Sequence, residues 1–149
     1  MDEDQYRATY NRINPTRCIF EKAHTNRRCN CQQKRRFVLA TREGIACNSE
    51  SSLERCTSFL NTLRDSSRFA LKITLVDGPL PHNKELRVQA GGTLALQKLL
   101  YEGDNSETTE NIDQLLNLAL LEYGSLADIP YNELIKGVLK YKVRSKKRK

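Results

Sequence analysis

The chain has 149 residues, of which 38% are hydrophobic and 29% are charged, and its formal net charge is +7 at pH 7. This length suits one domain, or one domain with a small satellite, and the composition excludes a wholly disordered chain. No apolar run approaches the roughly 18 residues of a membrane span, and the acidic start lacks the layout of a secretory signal, so we expect a cytoplasmic protein without a membrane span.

All five cysteines lie within the first 56 residues. Cytosolic thiols stay reduced, so an odd number of cysteines favours metal ligands or buried thiols over disulfides. Cys29 and Cys31 lie among polar and basic residues that offer little apolar surface to pack against, which favours ligands. The predicted metal ligands are Cys18, Cys29, Cys31 and Cys47, with Cys56 or His24 as substitutes.

Four thiolates from a short segment can close a shell around zinc or hold an iron–sulfur cluster. The gaps between these cysteines match neither the usual zinc-finger spacings nor the ferredoxin spacings. A thiolate-bound cluster carries negative charge, which the many nearby arginines and lysines would stabilise. Because there is no Cys-x2-Cys pair, we favour an iron–sulfur cluster, with zinc as the alternative cofactor.

The short apolar patch Phe37–Ala40 fits either a strand or a helical turn, with Gly44 as the break that follows. A clearer element follows it, because Ser51 and Glu54 have the spacing of a helix capping box. The apolar residues after it recur at helical spacing and predict a helix over about residues 52–65. Cys56 lies on that apolar face, so it is either a ligand or a buried thiol.

Residues 69–76 alternate between apolar and polar side chains, which is typical of a strand. Turn-forming residues at 77–83 precede a second alternation at Leu86, Val88 and Ala90, and together they predict a β-hairpin. Gly91 and Gly92 end this hairpin, and Thr93 is the predicted N-cap of the next helix.

The polar, acidic stretch 102–111 is predicted to be a solvated loop. Asn111 then begins a helix over 112–123 that is apolar on nearly every side, as in a buried helix or an oligomer interface, and Gly124 ends it. The last helix begins at Tyr131 and is amphipathic. The predicted fold is α+β, with a Cys-rich metal-binding lobe at 1–66 followed by a β-hairpin and three helices with a basic C-terminal tail at 67–149.

Charge is segregated along the chain, with net values of +4 for residues 1–60, +3 for 61–100, −8 for 101–135 and +8 for 136–149. Such basic segments attract an acidic protein partner or nucleic acid. The predicted partner-binding or phosphate-binding residues are Arg27, Arg28, Lys34, Arg35, Arg36, Lys142, Arg144, Lys146, Lys147 and Arg148.

We find no catalytic triad, phosphate loop or dinucleotide fingerprint, so we expect a protein that is not an enzyme. A Cys–His pair formed by His24 with Cys29 or Cys31 is the catalytic alternative. The sequence favours a non-enzymatic iron–sulfur protein that transfers electrons or senses redox state on an acidic partner. The alternative function is a zinc-stabilised protein that binds DNA or RNA.

Overall fold

The computed structural model describes residues 1–72 and 80–143. Within them lie helices α1 (Glu3–Ile13), α2 (Glu21–Thr25), α3 (Glu50–Ala70), α4 (His82–Leu86), α5 (Gly92–Leu100), α6 (Ile112–Tyr123) and α7 (Tyr131–Lys140). Strands β1 (Lys34–Leu39) and β2 (Arg42–Cys47) form a two-stranded antiparallel sheet. A mixed α+β fold is therefore confirmed, but the hairpin lies inside the Cys-rich part of the chain and not after it.

The apolar patch at 37–40 contributes to strand β1, where Phe37 pairs with Gly44 on β2. A Cβ atom on Gly44 would lie 2.3 Å from the ring of Phe37, so this glycine makes room for the aromatic side chain. Ala40 and Thr41 form the turn with positive φ values of 50° and 72°. The ring of Phe37 also contacts the ring of Tyr10 on α1, with 5.7 Å between the centroids. This contact holds α1 against the hairpin.

The predicted helix at 52–65 lies within the longer helix α3. Its N-cap is Ser49, whose side chain accepts a hydrogen bond from the Ser52 N–H at 3.2 Å, two residues before the predicted capping residue. The apolar face is buried as expected, with Phe59, Leu60 and Leu63 fully inaccessible. The helix also continues to Ala70, past the predicted end.

The prediction of a second strand in the hairpin, at residues 86–90, is wrong. Leu86, Val88 and Ala90 belong to a helical run in which α4 passes through a π-helical turn at Arg87–Gly91 into α5. Thr93 lies inside this run instead of capping it, and its hydroxyl donates to the carbonyl oxygen of Gln89 at 2.8 Å. The first predicted strand, at 69–76, begins inside α3, and its part at 73–76 lies outside the described residues, as does the start of the predicted turn.

The prediction of the last two helices is confirmed. Asn111 caps α6 by accepting a hydrogen bond from the Gln114 N–H, and Gly124 ends the helix with a φ of 87°. Helix α7 begins at Tyr131, directly after Pro130. The polar loop before α6 is mainly exposed, but Thr109 is buried and its hydroxyl lies 2.8 Å from that of Thr93.

One hydrophobic core joins the elements, and it includes Phe20, Cys29 and Cys56 from the first part of the chain with Leu115 and Leu134 from the second. The division at residue 66 stays a prediction. Helix α6 buries one face in this core and leaves Leu121 exposed, so its role in an oligomer also stays a prediction. None of the described helices combines the length and the apolar character needed to cross a bilayer.

Candidate metal centre

Four of the five cysteines line one small cavity between α2, β2, α3 and α6. This thiol cavity is bordered by Cys18, Cys31, Cys47 and Cys56, has a volume of about 20 Å³ and has an almost entirely apolar wall. Three of the four predicted ligands, Cys18, Cys31 and Cys47, line this cavity. The fourth position is taken by Cys56, which the sequence offered as a substitute.

Backbone pairing places Cys18 beside Cys47. The Cys18 N–H donates to the carbonyl oxygen of Ile45 at 3.0 Å, and the Cys47 N–H donates to that of Thr16 at 2.8 Å. Segment 16–18 therefore lies antiparallel to β2, with a bridge at Arg17 and Ala46. Two thiols that are far apart in sequence thus reach the same end of the hairpin.

The other two thiols come from a loop and a helix. Cys31 lies against the start of α6, because the Ile112 N–H donates to the carbonyl oxygen of Asn30 at 3.0 Å and the Gln32 N–H donates to the Asn111 side chain at 3.2 Å. Cys56 lies on the buried face of α3, which begins just after Cys47. Four separate segments therefore contribute one thiol each.

Two of the sulfur atoms accept backbone hydrogen bonds from residues two positions further along. The Phe20 N–H donates to the Cys18 sulfur and the Gln33 N–H donates to the Cys31 sulfur, each at 3.4 Å. Donors of this kind stabilise negative charge on sulfur and orient the sulfur atom, as around metal-bound thiolates. Both local turns are therefore suited to a thiolate.

Burial favours the protonated form of three of these thiols, Cys18, Cys31 and Cys56. Burial raises the pKa of the Cys18 thiol, and the nearby Cys56, Cys31 and Cys47 raise it further. Burial also raises the pKa of Cys56 to about 12, although Arg55 opposes the change, and it raises the pKa of Cys31. A cation that binds here has to displace protons from the thiols, so its affinity falls at low pH.

Cys29 does not line the thiol cavity. Its backbone forms a parallel bridge with Thr109, and its side chain is buried in the hydrophobic core. The pKa of this thiol is raised well above the usual value, mainly by burial. The structure thus places Cys29 as a core thiol close to the cavity, whereas the sequence analysis named it as a ligand.

His24 is fully buried and lines the thiol cavity. Neither ring nitrogen has a partner at hydrogen-bond geometry among the described residues, although the backbone carbonyl of Cys29 lies close enough to act as an acceptor that slightly raises the pKa of the ring. Burial lowers the pKa of the imidazole to about 4, helped by the positive charges of Lys34 and Arg36. A neutral imidazole with an unpaired N–H therefore borders the cavity, where it can donate to an acceptor.

Several predicted partner-binding cations are already engaged. Arg27 and Arg36 both pair with Glu43, at 2.8 and 3.3 Å. Lys34 lines the thiol cavity and contacts the side chain of Asn30, while Arg35 is exposed. The remaining members are Arg28 and Lys142, which lie together on another face, and Arg144, Lys146, Lys147 and Arg148, which lie outside the described residues.

Asp113 is a buried carboxylate at the cavity that sequence reasoning missed. Burial alone would raise its pKa, but hydrogen bonds from Ser52 at 2.7 Å, Gln32 at 2.7 Å and Arg55 at 2.5 Å outweigh burial and lower the pKa. These bonds tie α6 to α3 and to the Cys31 loop. An acidic residue in the first turn of an otherwise apolar helix was the available signal.

A single zinc ion holds four sulfurs at about 2.3 Å from its centre, which leaves no open space between them. In residues 1–72 and 80–143, no three Cys, His, Asp or Glu side chains are arranged to hold one metal ion. The four thiols border a cavity of about 20 Å³, which is roughly the space of one water molecule.

No known protein family, curated protein or solved structure was found to match this chain.

Proposed function

We propose that this protein binds an iron–sulfur cluster through Cys18, Cys31, Cys47 and Cys56, and that it transfers electrons or senses redox state without catalysing a reaction. The observation that carries the proposal is the thiol cavity, in which four cysteines from four segments surround one apolar space. Four cysteines are the usual ligand set of such clusters.

Two features lead us to rank the zinc-stabilised alternative second. The cysteines lack the Cys-x2-Cys pair that is usual in structural zinc sites. Lys34 also lines the cavity, where its positive charge would stabilise the negative charge of a thiolate-bound cluster. The cavity of about 20 Å³ would have to widen to hold such a cluster.

The surroundings of the cavity also suit a redox group. Phe20 and Ile112 are almost fully buried beside it and keep water away. The N–H groups of Phe20 and Gln33 and the unpaired imidazole of His24 are donors for sulfur atoms that carry negative charge. Burial and hydrogen bonds to sulfur are the factors by which proteins set cluster potentials.

The environment of the thiols also supports a role without catalysis. A nucleophilic cysteine needs a lowered pKa, which a neighbouring cation or histidine provides. The pKa values of Cys29 and Cys31 are raised, and that of His24 is lowered, so the neutral forms of both groups are favoured. This is opposite to what a Cys–His catalytic pair requires.

The proposal is tested by anaerobic reconstitution with iron and sulfide, followed by metal analysis and visible absorption. We expect stoichiometric iron and inorganic sulfide, and a visible band that bleaches on reduction. Stoichiometric zinc in a colourless protein would support the alternative. Folded protein that takes up neither metal would contradict both.

Cysteine variants test the ligand set, with Cys29 as the matched control. We expect Cys31→Ser and Cys56→Ser to lose the visible band, because both thiols line the cavity. Cys29→Ser should keep the band and lose only stability, on the order of 1 kcal/mol, because its thiol packs in the core. Loss of the band in Cys29→Ser and its retention in Cys56→Ser would restore the ligand set predicted from sequence.

A further inference from the structure

A second concave surface lies on the face formed by α5, α7 and Arg28. We call it the basic groove. It has a volume of about 890 Å³, and its positively charged lining consists of Arg28, Lys98, Lys136, Lys140 and Lys142. Among the described residues, the acidic side chains that line it are those of Glu107 and Glu133. Five cations against two carboxylates give the groove a positive potential.

Most of these charges are available to a ligand. Lys98, Lys140 and Lys142 are exposed and form no ion pair with another described residue, although Lys98 acts at longer range on Asp104. Lys136 pairs with Glu133 at 3.1 Å on the surface, where such a pair contributes little. The lysines therefore keep flexible ammonium groups at the groove.

Small residues form the floor and keep the two helices close. A Cβ atom on Gly137 would lie 2.5 Å from the Cβ of Ala95, and one on Gly91 would lie 2.8 Å from the Cβ of Tyr141. Close helix packing places Lys98 of α5 and the lysines of α7 along the same depression. A linear ligand can therefore meet charges from both helices.

Arg28 fixes the end of the groove. Its guanidinium donates to the Tyr141 hydroxyl at 2.8 Å and lies 5.6 Å from the centre of the Tyr141 ring. It also donates to the carbonyl oxygens of Lys142 and Val143. Residues 141–143 are thereby held at the groove, and the ring of Tyr141 lies among its lysines.

We propose that the basic groove binds the phosphate backbone of single-stranded nucleic acid. Lysines act as point charges for phosphate, and a cationic groove with an aromatic side chain is the usual way to bind a single strand. Residues 144–149, which directly follow Val143 in sequence, contain five more cations. An acidic protein partner fits less well, because the core of a protein interface is depleted of charge.

This inference does not depend on the proposed cluster. The groove lysines lie outside the thiol cavity, so substitutions there leave the visible band of loaded protein unchanged. The band and nucleic-acid binding therefore report separately on the two proposals.

The experiment titrates the whole 149-residue protein, as purified, against labelled oligo-U RNA and oligo-dU DNA over a range of salt concentrations, followed by fluorescence anisotropy. The tested variant is Lys98→Gln with Lys140→Gln. The control is Arg12→Gln with Lys72→Gln, which removes the same charge from exposed residues that do not line the groove. Far-UV circular dichroism confirms that both variants are folded.

We expect the logarithm of the association constant to fall linearly with the logarithm of the salt concentration for RNA, DNA or both. The oligonucleotide that binds more tightly identifies the sugar that the groove prefers. The groove variant should lower the magnitude of the slope by about 1.4, since each lost phosphate contact on a single strand removes about 0.7. The control should keep the parent slope.

Three results overturn the proposal. One is the absence of binding to either oligonucleotide at low salt. Another is an equal change in slope for the groove and control variants, which would indicate net charge alone. The third is displacement of the oligonucleotide by poly-glutamate at equal charge concentration, which would identify an acidic protein as the occupant.

Discussion

The buried pair Arg64 and Glu85 joins α3 to α4 in the interior of the protein. Their side chains are 6% and 1% exposed. The Glu85 carboxylate accepts hydrogen bonds from Arg64, with the shortest at 2.7 Å, from the Leu80 N–H at 2.9 Å and from Gln89 at 2.7 Å. A buried charge with so many donors is satisfied, but either partner alone would be left in an apolar core.

We expect Glu85→Gln to destabilise the protein by about 3–5 kcal/mol, because it leaves the Arg64 charge buried without a counter-ion. Urea denaturation followed by circular dichroism measures the loss. Glu102→Gln is the control, since Glu102 is exposed and forms no ion pair with a described residue. Equal stability of the two variants would contradict the importance of the buried pair.

The same pair predicts a pH dependence. Burial raises the pKa of Glu85, but hydrogen bonds from Arg64, Leu80 and Gln89 outweigh burial, so the pKa lies below the ordinary value of 4.5 for a glutamate. Because the folded pKa is the lower one, the stabilisation is complete above pH 4.5 and is lost as the pH falls through the folded value. Glu85→Gln should lack this part of the acid-induced loss of stability.

The candidate site was only partly predictable at the level of single residues. The five cysteines were visible as a group, and all four that line the cavity were named as ligands or substitutes. The position of Cys29 was not predictable, because Asn30 accepts a hydrogen bond from the Cys31 N–H at 2.9 Å and Thr109 pairs with Cys29 from far along the chain. A turn and a long-range bridge thus separate two cysteines that look equivalent in sequence.

At the scale of elements, helices with one clear apolar face or with clear end signals were easier to predict than a buried helical run that has neither. Helix α7 has a clean amphipathic pattern, and α6 has a cap and a glycine at its ends, so both were located correctly. The run from Leu86 to Thr93 is buried at nearly every position, which hides its helical period. The apolar side chains at Leu86, Val88 and Ala90, which alternate with polar ones, then resembled the pattern of a strand.

The close approach of α5 and α7 gives a prediction for this pair of elements. Gly137→Ala should destabilise the protein by about 1–3 kcal/mol, because the new methyl group overlaps Ala95. The cost of this overlap exceeds the gain of about 1 kcal/mol in helix propensity. Urea denaturation measures the change.

A double substitution is the internal control for this contact. Ala95→Gly alone should cost about 1 kcal/mol in helix propensity. Combined with Gly137→Ala, it removes the overlap, so the double variant should be more stable than the sum of the single effects. Additive effects would show that the two positions do not determine how closely the helices pack.

At the scale of the whole molecule, one core joins both parts of the chain, and the Cys-rich segment is tied to its C-terminal part. Arg28 bonds to Tyr141, Lys142 and Val143, and the Thr109 N–H donates to the carbonyl oxygen of Arg28 at 3.2 Å. The loop that contains Cys29 and Cys31 therefore contacts both the basic groove and the thiol cavity. Sequence patterns could show the segregation of charge, but not this connection, since it depends on contacts between residues more than 100 positions apart.

The last prediction concerns residues 144–149. Deleting them removes five cations and lowers the formal net charge from +7 to +2, while the contacts of Arg28 with residues 141–143 remain. If these cations extend the basic groove, the deletion should reduce the salt slope for single strands by up to about 3.5, at about 0.7 for each phosphate. Stability in urea should stay unchanged.

A variant of unchanged length, with the same five cations replaced by glutamine, controls for chain length and should behave like the deletion. If the cations instead neutralise the acidic stretch 102–133 of the same chain, the deletion should leave the slope unchanged and lower stability at low salt, and that result would separate the tail from the groove.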